Sequence, residues 1–480
     1  MKYGQIKPIT TVHPDIRLAP SYTRKAVMAG MRLLAPLYLR LGLRFSSVTS
    51  LHAERAAGAF ESFFSGKNRL LIAFRHPYGD EPQLLSYYIL CRVRKDAAEA
   101  GIRMTRDPHA LFIHGYEVPR WGGAFLRWLL PRMGALPVHH AKTDAAGLNR
   151  IRKAISDGQY PVALSPEGQV SYSPRSIPRI EQGAARIALW CAEDLRKAGR
   201  PEKVLILPVC FRYIPVTRSG HSAEKLLNLV ENAVGTLSDS AGPTTDSPRS
   251  AGSAAAGSSR RAGLPLPPMQ ARINAATRET IAAAERFYGE TARTNVSLKD
   301  RLDRLIRTAL QTGERILGIP SDETLHPIER VYRIRQAGWD RIFREEGKQV
   351  EEMTILERAT ADRLAGEAWY AMRHMEFVDF AWYFDPEPIP DDSPADIIAE
   401  RIQNTYDLVS RLMGGAFSDR KQVRPTRAYI CFGDPISVSD ASGRHDNKHG
   451  KDKKGAALRL TEEIRRAFQE GDDELWELPR

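Results

Sequence analysis

Cysteine is scarce in this chain. Four residues in 480, at positions 91, 191, 210 and 431, do not make a disulfide framework. None forms a Cys-x-x-Cys pair, which argues against a metal knuckle or a dithiol redox motif, and they read as reduced thiols of a cytosol-facing protein. Long apolar runs are also missing. No stretch reaches the roughly 20 apolar residues of a spanning helix, so a multi-pass membrane protein is excluded. The opening, Met1 to Pro20, is polar and contains Asp15, and it has neither the basic nor the apolar region of a secretory signal. No Gly-x-Ser-x-Gly offers a serine nucleophile. No zinc-finger, RRM or KH signature marks nucleic-acid binding, and no internal repeat is present.

What is present is an ordinary globular composition, 42% hydrophobic and 27% charged, over a length that predicts two or three domains. The net charge of +12 favours anionic partners. The excess is uneven: the first 60 residues carry nine Lys/Arg against two Asp/Glu. Within them, Arg24, Lys25, Arg32, Arg40 and Arg44 fall on roughly half of a helical circumference, opposite Leu, Met, Val and Tyr. That profile predicts a helix in a membrane interface, its cations toward anionic head groups. The alternative is a core-packing helix with a solvated basic face, and Pro36 argues for a break.

Residues 69–220 alternate short apolar strands (69–74, 161–165, 204–211) with helical patterns (146–156, 182–198). This predicts an α/β fold with a mostly parallel sheet covered by helices on both faces. Residues 238–262 hold almost no large apolar side chain and predict a flexible linker. From 269 to about 420 the period is helical, and an aromatic stretch at 369–384 reads as packing, as an acyl-chain groove or as interface anchors. Residues 427–438 revert to strand, turn, strand, then a polar loop at 440–454 leads to a helix at 456–470. A lone late strand needs a partner, so the helical block reads as an insertion into one α/β domain. The expected divisions are 1–49 (basic interface segment), 50–236 (α/β domain, first part), 237–268 (linker), 269–424 (helical insertion) and 425–480 (final strand and helix).

The chemistry concentrates after the first predicted strand, in Phe74-Arg-His76-Pro-Tyr-Gly-Asp80-Glu81-Pro82. A carboxylate four or five residues after His76 can fix its tautomer, leaving the other ring nitrogen to take a proton. Three further segments follow in order: Arg132-Met-Gly-Ala-Leu-Pro-Val-His139-His140, Leu164-Ser-Pro166-Glu167-Gly168-Gln169 and Ile206-Leu-Pro208-Val209. Together they resemble the glycerolipid acyltransferase superfamily of the lysophosphatidate type, marked by His-x4-Asp, a Gly-x-x-Phe-Ile-x-Arg-like block, Phe-Pro-Glu-Gly-Thr and a late Val-Pro-Val strand. Glu181–Ala188 and Phe432–Ile436 resemble that family's Gly-Ala helix and Gly-x-Pro-Ile turn. The resemblance covers about 50–236 and 425–470.

The resemblance implies a glycerophosphate-acyltransferase-like fold and acyl transfer from acyl-CoA or acyl carrier protein to a lipid hydroxyl, with His76 as general base and no cofactor. Glu81 stands at the family's Asp position, with Asp80 an adjacent alternative. Pro166, Glu167 and Gly168 match the block implied to shape the acceptor site, with Ser165 and Gln169 departing from its Phe and Thr. His140 stands where a phosphate-binding Arg is expected, and a neutral imidazole does not replace a guanidinium fork. Arg132, Arg120 or Arg175 would substitute, or the acceptor carries no phosphate there. No metal is expected, since His139-His140 lacks helical i,i+4 spacing. The implied partners are a membrane lipid acceptor, the acyl donor and an anionic membrane surface, at the cytoplasmic face, without nucleic acid. The competing readings are a catalytically silent lipid-binding protein on the same scaffold and, from charge alone, a nucleic-acid binder.

Overall fold

A computed structural model of the chain describes residues 7–16, 19–139, 144–239, 267–293, 295–344, 347–416, 420–438 and 453–479. In chain order it begins with β1 (His13–Pro14), α1 (Lys25–Leu37), β2 (Phe45–Leu51), α2 (Ala53–Phe64) and β3 (Asn68–Phe74). There follow α3 (Glu81–Cys91), α4 (Val93–Glu99), β4 (Leu111–Gly115), α5 (Val118–Trp121), α6 (Gly123–Arg132), β5 (Leu136–Val138) and α7 (Ala145–Asp157). Then come β6 (Val162–Leu164), α8 (Gly183–Lys197) and β7 (Lys203–Pro215). A helical stretch continues with α9 (Gly220–Asp239), α10 (Met269–Tyr288), α11 (Leu298–Leu317), α12 (Pro327–Ile342), β8 (Phe343–Arg344), α13 (Ile355–Trp382) and α14 (Ala395–Leu412). The chain ends with β9 (Thr426–Phe432), β10 (Ile436–Ser437) and α15 (Lys453–Glu477).

Two compact units result, Leu18–Ile214 with Pro425–Arg480, and Met1–Arg17 with Pro215–Arg424. The first is α/β. Its sheet runs β2-β9-β7-β3-β6-β4-β5, with β10 beside β7. The pairs β2–β9, β3–β6, β3–β7, β4–β5 and β4–β6 are parallel, and β10 pairs antiparallel to β7. The strand period of two sorts side chains onto two cores. Leu70, Ile72, Phe74, Leu207 and Val209 pack with α2, α3 and α4. Leu71, Ala73, Val162, Ile206 and Cys210 pack with α7, α8 and α15. The strands predicted at 69–74, 161–165 and 204–211 form β3, β6 and β7, β2 and β4 join them unpredicted, and β9 enters between β2 and β7.

The basic N-terminal segment differs from its expectation. Its helix stops at Leu37 and is followed by a π-helical turn over Tyr38–Gly42. Pro36 has no N–H for the carbonyl of Arg32, and that carbonyl accepts from Cys91 Sγ at 3.4 Å. Arg44 then takes a left-handed backbone (φ 56°), and Phe45–Leu51 becomes an edge strand in register with β9 rather than the end of a helix. Ser46 to Thr49 lack the apolar repeat of a helix and include β-branched Val48 and Thr49, which suit a strand.

The second unit is helical, with α11, α12 and α13 packed together and α9, α10 and α14 around Leu227, Val230, Ile273, Ile402 and Tyr406. It starts at Pro215 rather than 269, because the apolar face of α9 is covered by α10 and α14. Met1–Arg17 is grouped with it: β1 pairs with β8, and the Val12 N–H donates to Asp362 Oδ1 at 2.7 Å. Of the aromatic stretch, Phe377 and Phe380 are buried in α13 and Trp382 closes that helix. Of the predicted linker at 237–268, residues 237–239 instead end α9, and 240–266 lie outside the described residues, as does the loop 439–452.

Candidate active site

The β3 strand is central in the sheet, between β6 and β7, and the loop after it carries His76. Outside the carboxyl ends of parallel strands, backbone and side chains are free to face a ligand. Pro77 disfavours a helical backbone at His76. Gly79 turns the chain with φ +101°, a region that side-chain-bearing residues rarely adopt. α3 then begins at Glu81, with Pro82 in its first turn, where proline's missing N–H has no helical partner to lose.

These local choices aim Glu81 back at the loop. Its carboxylate accepts the N–H groups of Tyr78 and of Gly79, the latter at 2.8 Å, and its Oε2 lies 2.7 Å from His76 Nδ1. The Glu81 side chain is 0% exposed and that of His76 17%. Nδ1–H therefore donates to Glu81, and among the described residues Nε2 has no hydrogen-bond partner. Burial opposes the imidazolium, but Glu81, with Glu167 and Asp80 behind it, outweighs burial and raises the His76 pKa above its ordinary value of 6.5. Asp80, the adjacent alternative, is the residue before α3 and is buried; the partner on the ring is Glu81.

Glu167 lies beyond the carboxyl end of β6 and reaches the same loop. Its Oε1 accepts the His76 N–H at 3.1 Å and Arg75 Nε at 3.1 Å. The Ser171 N–H donates to the His76 carbonyl at 3.1 Å, so both sides of the His76 peptide are tied to the 165–171 loop. Gly168 has φ +74° within that loop, and Pro166 accepts the Glu181 N–H at 2.7 Å.

Next to His76 in the chain lies a buried cation, Arg75. Arg75 is 0% exposed and binds Glu167, Asp472, the Pro174 carbonyl (3.1 Å) and the Ser176 carbonyl (2.8 Å). Burial opposes its charge, and the two carboxylates more than restore it. Burial also pushes the Asp472 carboxyl up to about 7, against the pull of Arg75. Asp472 comes from α15, 397 residues away in sequence, and no local signal marks it. An arginine between a mostly buried strand and His76 is the one hint of a buried carboxylate partner.

Of the phosphate-binding candidates, Arg132 and Arg175 make their described contacts with tryptophans rather than with His76. Arg132, at the end of α6, lies over the Trp128 ring at 5.0 Å and donates to the Trp128 carbonyl at 2.8 Å. Arg175 lies over the Trp476 ring at 4.7 Å. His140 and the Arg120 side chain lie outside the described residues. His139 is buried, and its N–H donates to Asp144 Oδ2 at 3.1 Å. The arrangement can hold a neutral imidazole in one tautomer with a basic nitrogen at the sheet's carboxyl edge. No family model matches this chain, and no curated protein matches it at a significant level.

Proposed function

We propose that this protein is an acyltransferase that moves a fatty acyl group from acyl-CoA or acyl carrier protein to the hydroxyl of a lipid acceptor such as a lysophospholipid. The observation that carries the reading is the His76–Glu81 pair at 2.7 Å, with Nε2 left without a partner among the described residues. Nε2 takes the proton of the acceptor hydroxyl as its oxygen attacks the thioester carbonyl. Glu81 steadies the imidazolium that forms. Collapse of the tetrahedral intermediate breaks the C–S bond, and the imidazolium returns the proton to the departing thiolate. Oriented N–H donors stabilise the oxyanion. Glu167 holds the His76 backbone, Arg75 holds Glu167, and Asp472 holds Arg75. The finer fold, a glycerophosphate-acyltransferase-like domain, belongs to this same reading.

Work at the cytoplasmic face of a membrane is part of the proposal. No helix among the described residues is long and apolar enough to span a bilayer. Leu33 is 79% exposed, and Leu34, Leu37, Tyr38, Leu41, Phe125 and Trp128 are also exposed. α1 and α6 share one small core through Met28, Leu129 and Met133, so these side chains and the cations around them suit peripheral binding to an anionic bilayer.

The test is acyl transfer by wild-type and His76→Ala protein in liposomes, using labelled acyl-CoA and acyl carrier protein donors against lyso- and non-phosphate acceptors. Loss of the base is expected to cost about 10²- to 10⁴-fold. Equal rates would overturn the proposal, and a folded wild type inert with every pair would favour the lipid-binding alternative.

A further inference from the structure

A second cluster lies in the α/β unit and has no part in the chemistry at His76. His52 follows β2, Cys431 is near the end of β9 and in register with Leu51, and Glu474 projects from α15. One ligand atom from each (a ring nitrogen, Sγ and a carboxylate oxygen) lies within 4.8 Å of the other two. His52 Nε2 is 2.7 Å from Glu474 Oε2, and Cys431 Sγ is 3.7 Å from the same oxygen. The three come from distant segments, which is why no sequence spacing announces them.

Two further observations set the cluster apart from a chance polar contact. His52 has φ 55° and ψ 40°, a left-handed backbone that costs a residue with a side chain on the order of 1 kcal/mol. Structure maintains such strain where the surroundings over-determine it. The other ring nitrogen, Nδ1, faces Glu54 Oε1 at 3.7 Å, longer than a hydrogen bond but on the side from which an outer carboxylate would orient a ligating imidazole. The nearby cation, Arg55, is engaged by Asp434 at 2.9 Å and by the Phe432 carbonyl at 3.1 Å.

We propose that His52, Cys431 and Glu474 bind a zinc ion, with solvent as the fourth ligand. One nitrogen, one sulfur and one oxygen suit this borderline-soft cation and not magnesium or calcium. Tetrahedral bonds of about 2.0–2.3 Å separate ligand atoms by about 3.3–3.6 Å. The sulfur–oxygen pair at 3.7 Å is already close to that spacing, the nitrogen–oxygen pair at 2.7 Å opens by roughly 0.6 Å, and the nitrogen–sulfur pair lies within 4.8 Å. Cys431 is buried, while His52 and Glu474 are partly exposed, which leaves a solvent-facing position. Binding forms the Zn–S bond and releases the thiol proton to water. The ion ties α15 to the ends of β2 and β9, two residues from Asp472.

The proposal stands apart from acyl transfer, and so does its test. Full-length protein stripped with EDTA is dialysed against Zn²⁺, and separately titrated with Co²⁺ while the thiolate-to-cobalt charge-transfer band is followed. Wild type is expected to take up one equivalent, show the band and melt higher with zinc. His52→Gly relieves the left-handed strain, so it is expected to fold without metal at least as well as wild type. It should nevertheless bind zinc more than about 100-fold more weakly, beyond the range of an outer-shell change. Cys431→Ser is expected to lose the charge-transfer band. Equal zinc uptake by wild type and His52→Gly would overturn the assignment, as would a cobalt complex without the thiolate band.

Discussion

At the scale of single residues, His76 and Arg75 make opposite kinds of measurement available. Glu81 raises the His76 pKa, and a general base works only when neutral. The acid limb of kcat/KM is therefore expected above pH 6.5, and Glu81→Gln should lower the rate and move that limb to lower pH, because burial is then less opposed. A limb that stays in place would dissociate Glu81 from the titrating group. The same shift is a stability statement. The folded state holds the proton more tightly than the unfolded one, so the contribution of His76 is fully present below about pH 6.5 and is lost as pH rises through the folded value. The stability gap between wild type and His76→Gln, read by denaturant titration, should shrink across that window. Arg75 is a matter of folding first. Replacing it with Met leaves Glu167 and Asp472 buried without their cation, at a cost of about 3–5 kcal/mol in chemical denaturation.

At the scale of elements, α1 carries the test of the membrane reading. Met28 and Ala35 face the core, while Leu33 and Leu37 are exposed. Burying a leucine in an apolar phase contributes about 1.5–3 kcal/mol. The double variant Leu33→Glu with Leu37→Glu is therefore expected to bind anionic vesicles at least about 100-fold more weakly in a flotation assay, with its melting temperature near that of wild type. Unchanged flotation would assign those leucines to another partner. α3 packs Leu84, Leu85 and Tyr88 into the core and also positions a site carboxylate. Its start at Glu81, rather than one residue earlier, decides which of two adjacent carboxylates meets the imidazole.

At the scale of the whole molecule, the return of the chain after the helical unit is the decisive feature. β9 lies between β2 and β7, and Ile464, Phe468 and Leu475 of α15 are buried against the sheet. A chain ending at residue 424 loses an interior strand, one helical cover and the Asp472 partner of Arg75. It is expected to lack a cooperative unfolding transition for the α/β unit by calorimetry. Retention of that transition with His76 chemistry intact would mean that the segment 425–480 is dispensable.

The sequence by itself determined the parts whose physics is local. The apolar runs at 69–74 and 204–211 are buried on both faces, and a strand covered on both faces has no other composition open to it. His76 and Glu167 were legible because each sits in a short block of turn-forming residues whose side-chain types have a shared chemical use. The register of helix starts was not legible, because Asp80 and Glu81 serve equally well as first-turn acids until the backbone places one of them. The strand Phe45–Leu51 was hidden by the basic helical pattern before it, since its partner β9 lies far along the chain. α9 read as part of the α/β unit until its apolar face met α10 and α14. Asp472 beneath Arg75, and Glu474 beside His52 and Cys431, were decided by tertiary structure alone. Burial makes a charge or a ligand costly without its partner, and only the folded chain brings the partner from hundreds of residues away.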